Sequence, residues 1–194
     1  MSFFDVPAQP PDPESDAEPS RSPWDGPPRG VLPGYSSQRA TIFRTDQSIL
    51  FVDDFRVYPI GLMFSLNLVL RNRNEDLAYM PWDVHWRRRR VPDPLPDDLL
   101  RFGILFADGS KWTNLGGQIP DPRQEPHHPY VMGQGGGGGD HSWRTDFWMW
   151  PLPTDRPLTF VASWPAYEVP ESTAIIDGAE LRRCAEAAEV IWPS

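Results

Sequence analysis

Apolar residues recur at every second position through the middle of the chain. Ile60, Leu62, Phe64, Leu66, Leu68 and Leu70 are each separated by one residue, among them Ser65 and Asn67, and Arg71 follows. A period of two lays a continuous apolar row on one face of a sheet, whereas a helix would scatter the same residues around its circumference. The spacing predicts a long strand over 60–71. Shorter runs precede it at Ala40–Thr45 and Ser48–Asp53, divided by Asp46-Gln47. Leu100, Phe102, Ile104 and Phe106 alternate again and lead through Ala107-Asp108-Gly109-Ser110 into a run from Lys111 to Leu115. Asp-Gly between extended runs predicts a hairpin with a type I′ turn, because both residues tolerate positive φ. Further strands are predicted at Ser142–Trp150, Pro157–Trp164 and Ser172–Ile176.

Alternation fails in two long connections, 72–97 and 116–141. The first holds Pro81, Pro92, Pro94 and Pro96, and the second holds four prolines and the run Gly135–Gly139. Connections of this length inside one domain are candidates for functional or variable insertions. Periodicity changes to helical only near the C-terminus. Asp177-Gly178-Ala179-Glu180 has the form of a capping box. Leu181, Cys184, Ala185, Ala188, Ile191 and Trp192 then fall on one stripe, and Pro193 ends the predicted helix.

Many short strands, turn signals between them and one helix predict a mainly-β chain. The expected form is a two-sheet antiparallel β-sandwich, immunoglobulin-like, with one C-terminal α-helix; an open barrel is the alternative. Composition agrees with this class. The 194 residues suit one domain, 24 Pro and 15 Gly break helices throughout, and nine Trp with ten Phe supply a core.

Residues 1–34 read differently. They are rich in Pro, Ser and acidic side chains and poor in apolar ones, so they are expected to be a disordered tail, with 35–194 as a single domain. Within the tail, Pro23-Trp24-Asp25-Gly26-Pro27 sets one Trp among turn residues, where it could dock on the domain or on a partner. The formal charge is −9, and much of the excess lies in the tail, where Asp5, Asp12, Glu14, Asp16, Glu18 and Asp25 face Arg21 and Arg29. An acidic balance argues against a protein that holds nucleic acid or an anionic membrane chiefly by charge. The single Cys184 excludes an intramolecular disulfide framework and a Cys-rich zinc site. No apolar run has the length of a membrane span and no secretory signal is seen, so a cytoplasmic location is expected. Arg outnumbers Lys seventeen to one, a hint of a GC-rich genome.

Few motifs promise chemistry. The Gly135–Gly139 run lacks the Lys-Ser/Thr pair and the following helix of a phosphate loop, and reads as a hairpin tip. His127, His128, Asp140 and His141 flank it and are the candidate metal ligands, suited to zinc or iron, though two adjacent His rarely reach one ion. Trp86 beside Arg87, Arg88, Arg89 and Arg90 is a candidate binding run, since a ring and Arg charge suit single-stranded nucleic acid. Its Arg side chains can equally pair with Asp93, Asp97, Asp98 or the acidic tail. Phe147-Trp148-Met149-Trp150 places rings on both faces of one strand, so Trp148 and Trp150 are candidate binding residues unless the tail or the helix covers them. There is no Gly-x-Ser-x-Gly elbow, Cys184 sits on an apolar stripe, and Asp53-Asp54 and Asp97-Asp98 point to opposite faces if extended. No catalytic residue and no cofactor is predicted.

Arg101–Gly109, the glycine run before Trp143, Phe147-Trp148-Met149-Trp150-Pro151-Leu152-Pro153, and Trp164-Pro165-Ala166 followed by the predicted helix ending at Trp192 resemble a group of conserved actinobacterial proteins of high-GC genomes, over roughly residues 30–193. No activity attaches to that group, so the resemblance implies no site. The functional expectation is a non-enzymatic module that binds a protein partner. The alternatives are a carbohydrate or small ligand held on exposed Trp rings, and a metal-dependent enzyme using the loop histidines.

Overall fold

Rings and aliphatic side chains at alternate positions are buried most fully when two sheets turn their apolar faces to each other. The computed structural model, which describes residues 22–72, 94–116, 125–126 and 129–192, has this arrangement. The chain forms β1 (Val31–Leu32), β2 (Gly34–Ser36), β3 (Ala40–Arg44), β4 (Ser48–Tyr58), β5 (Gly61–Leu70), β6 (Arg101–Leu105), β7 (Lys111–Thr113), β8 (Tyr130–Gly138) and β9 (Ser142–Trp150). There follow β10 (Leu158–Trp164), a 3-10 turn at Pro165–Tyr167, β11 (Val169–Ile176), the helix α1 (Gly178–Glu186) and β12 (Glu189–Val190).

One sheet runs β2-β4-β5-β9-β8, with β3 continuing the edge beyond β2 along β4. The second runs β11-β10-β6-β7, and β1 with β12 forms a third, two-stranded sheet. All pairings are antiparallel. The core lies between the two larger sheets. Phe64 of β5 meets Phe160 of β10 edge-on at 5.2 Å, and Phe102 of β6 stacks on Phe160 at 6.1 Å. Phe147 of β9 lies 5.9 Å from both Phe102 and Trp112. These rings fix how the sheets face each other.

The strand expected at 60–71 is β5, and it is buried on both faces over most of its length. The strand starting at Ser48 continues past the expected end at Asp53 to Tyr58. A register shift between Asp53 and Arg56, with Asp54 at φ 53°, marks a bulge there. The Asp108-Gly109 hairpin forms with a different turn. Gly109 has φ 87°, Asp108 has not, and the amides of Gly109 and Ser110-facing Phe106 close a three-residue loop (Gly109 N to Phe106 O, 3.0 Å; Phe106 N to Ser110 O, 2.9 Å).

Further expectations change. Residues 22–34, placed in the tail, are packed: Pro23 and Trp24 lie on β9, and β1 and the start of β2 pair with other strands. Residues 1–21 lie outside the described residues. The Gly135–Gly139 run is mostly the edge strand β8, because Cβ atoms at Gly136 and Gly138 would stand 2.3 Å and 2.5 Å from main-chain oxygens of β9. The helix ends at Glu186, before the apolar stripe does. Ala187 and Ala188 close it with bonds to Cys184 and Ala185 (3.1 Å and 3.2 Å), and Val190 pairs with Val31. At its start Asp177 accepts from Ala179 N at 2.9 Å, but the reciprocal half of the capping box is replaced. The Asp177 amide donates to Gln38 at 2.8 Å, and Glu180 accepts from Ser36.

Candidate functional site

The outer face of β9 is covered. Trp148 has no exposed surface, packs edge-on against Tyr58 at 5.7 Å, and donates its indole N–H to Pro23 O at 3.2 Å. Trp150 is half-buried, with Trp24 edge-on at 5.5 Å. Gln134 of β8 pins the same turn by donating to Asp25 O. Residues 22–31 thus form a cap over Tyr58, Met63 and Trp148. Of the two rings singled out in sequence, Trp148 is therefore no surface platform, because the Trp24 turn occupies the position a ligand would take. Large apolar side chains are exposed elsewhere, at Tyr35 (68 %), Ile175 (65 %) and Trp192 (76 %).

Further along the same sheet, charge replaces the cap. Arg56 and Arg144 bracket Asp146 at 3.0 Å each, Arg144 also reaches Asp54, and Ser65 donates to Asp146 at 2.7 Å. Asn67 donates to Asp53 at 2.8 Å. Burial would raise the Asp146 carboxyl, but hydrogen bonds from Ser65, Arg144 and Arg56 outweigh it and hold the group below the usual carboxylate range. The bulge delivers Asp54 to Arg144, which accounts for a non-glycine residue at positive φ. The network pairs charges across β4, β5 and β9, with the buried Arg56 Nε left without a hydrogen-bond partner.

The candidate metal ligands divide. His127 and His128 lie outside the described residues, while Asp140 and His141 sit exposed at the β8–β9 tip, where His141 O accepts from Leu70 N at 2.7 Å. Among the described residues no three His, Cys, Asp or Glu side chains are grouped to hold an ion. Trp86, Arg87, Arg88, Arg89 and Arg90 also lie outside the described residues. Cys184 donates to Tyr35 O, and burial with the neighbouring Glu180 raises its thiol pKa despite Arg183. A thiol so placed is a poor nucleophile.

The concave feature with mixed chemistry is on the outer face of β6, β7, β10 and β11. Register sets its floor. Thr113, Gly103, Val161 and Thr173 form one row across the four strands, and Lys111, Leu105, Thr159 and Ile175 form the next. Gly103 leaves a dent in the middle of the first row, and a Cβ there would lie 2.8 Å from Trp112 O. The resulting groove holds about 440 Å³ and is walled by Leu95 and Leu115, with Arg101, Lys111 and Glu171 around it. Arg101 Nε is buried without a hydrogen-bond partner. Sequence reading missed this surface because its members are single outward residues of four strands, and only the register brings them together. Alternation in 100–106 did hold a signal: Arg101, Gly103 and Leu105 are the residues left between the core positions.

No protein-family model matches the chain, no curated protein matches it, and no solved structure matches its fold.

Proposed function

We propose that the chain is a non-enzymatic interaction module on an immunoglobulin-like sandwich, and that it binds a protein partner on the outer face of the four-stranded sheet. The observation that carries the reading is the groove over Gly103, where Val161, Leu105, Leu95 and Leu115 lie among threonines inside a rim of charge. An apolar centre with a polar rim is the general anatomy of a protein interface. Ile175, exposed in the same row as Leu105, extends the apolar area beyond the groove.

Support for the sandwich type lies in connectivity. The orders β4-β5-β9-β8 and β11-β10-β6-β7 correspond to strands A-B-E-D and G-F-C-C′ of that architecture. The Phe64–Phe160 contact then stands where antibody domains join strands B and F by a disulfide, with Phe102 in the place of the strand-C Trp. A single Cys is consistent with rings doing this work. Kinship with the conserved actinobacterial group belongs to the same proposal.

The test is affinity capture from a soluble extract of the source cells with full-length protein and a Val161→Glu variant, after both are shown to unfold at the same urea concentration. A specific partner held by the native protein and lost with Val161→Glu supports the reading. Capture that survives Val161→Glu but disappears with Trp192→Ala moves the interface to the two-stranded sheet and refutes it.

A further inference from the structure

The register that builds the groove also spaces its charges. Arg101, Gly103 and Leu105 are successive outward residues of β6, and Lys111 is the cross-strand partner of Leu105 on β7. Outward positions of a strand are about 7 Å apart, so the rows holding Arg101 and Lys111 stand about 14 Å apart, one on each side of the Gly103 row. The two cations bracket the dent over Gly103, where Val161 supplies apolar floor. Neither cation has an ion-pair partner among the described residues, and Arg101 Nε is buried with no acceptor. An unsatisfied buried guanidinium N–H costs free energy that a bound carboxylate recovers. Glu171, on β11 and two strands from β6, is the single opposing charge at the groove.

We propose that the groove takes an extended acidic peptide segment of the partner, with carboxylates four residues apart and an apolar side chain midway between them. An extended chain repeats its side-chain direction every second residue, at the same rise as the strand beneath it. Laid along β6, it sets one carboxylate on Arg101, the apolar side chain in the dent over Gly103, and the other carboxylate on Lys111. The pattern acidic-x-apolar-x-acidic reads alike in both chain directions. A helix advances only about 6 Å over four residues and does not span the two cations with this pattern. The proposal deepens, and rests on, the reading of the groove as the partner-binding face.

The probe is a capped peptide, Thr-Glu-Thr-Phe-Thr-Glu-Thr, titrated into full-length protein and followed by amide resonances. The expected result is a saturable shift of Gly103, Leu105, Thr113 and Val161. Arg101→Gln and Lys111→Gln, each first shown to unfold at the native urea concentration, should weaken binding about tenfold. An isomer with both Glu on the same side of Phe should weaken it similarly. No saturable shift, equal affinity for the isomer, or affinity unmoved by both Gln variants overturns the proposal. So do groove shifts that grow on concentrating the protein alone, which report a second copy on this face, and displacement of the peptide by an equal concentration of oligo-dT. Partner capture separates this from failure of the underlying reading. If the groove is the partner face but reads another pattern, Val161→Glu loses the captured partner while both Gln variants keep it and the peptide does not displace it. If the underlying reading fails, Val161→Glu keeps the partner. If both hold, the peptide displaces the partner and each Gln variant weakens its capture.

Discussion

Asp146 accepts from Ser65, Arg144 and Arg56, and its pKa lies below that of the unfolded chain. A depressed carboxylate contributes stability that is fully present above the unfolded value, about 3.9, and is lost as pH falls through the folded value. Asp146→Asn is therefore expected to lower the urea midpoint at neutral pH, and its difference from the native protein should close below about pH 3.9. Urea titrations of both proteins between neutral and acid pH check this. Trp148 sits at the other extreme, with no exposed surface at all. Trp148→Ala should cost about 3–5 kcal/mol, as removal of a buried ring does. Trp24→Ala removes the ring that packs edge-on against Trp150, so Trp emission should move to longer wavelength while the protein stays folded. The two variants separate the core ring Trp148 from the outer Trp24–Trp150 pair, measured by denaturation and by fluorescence.

Among the elements, β8 is the most unusual, an edge strand built largely of glycine. Gly136 and Gly138 face close main-chain atoms of β9, while Gly137 has open space where its Cβ would be. Gly138→Val is expected to destabilise by about 1–3 kcal/mol through overpacking. Gly137→Ala should stay within about 0.5 kcal/mol of the native protein. Equilibrium unfolding of the two variants decides whether the glycines are required by close approach. The same strand shows where sequence reading stops. Glycine is depleted in strands, so five in succession read as a loop, and nothing local reveals that the partner strand comes too near for side chains. Alternation did locate β5, β6, β9 and β10, since an apolar period of two is a property of each strand alone. Asp53-Asp54 concealed the far half of β4 because a bulge held by Arg144 depends on a residue of β9. Ile191 and Trp192 read as the end of a helical stripe, yet pairing of Val31 with Val190 and the Ile191 bond to Gly30 O draw the chain into β12 and its continuation.

For the whole molecule, the two sheets share one aromatic core and differ in what their outer faces do. The six-stranded sheet is covered by residues 22–31 at one end and carries the Arg56–Asp146–Arg144 charge network beyond. The four-stranded sheet carries the groove around Gly103, which is uncovered among the described residues. The expected aromatic platform at Trp148 and the observed groove are thus on opposite sides of the molecule. Only the pairing of four strands, separated in sequence by up to about seventy residues, assembles the groove, which is why composition and motif could not reach it. The measurement that addresses the central claim most directly is hydrogen–deuterium exchange of the full-length protein with and without its captured partner. Slowed exchange at 101–105, 111–113 and 159–163 is the predicted result, and protection at 31–35 and 189–192, with the four-stranded sheet unchanged, would contradict the account.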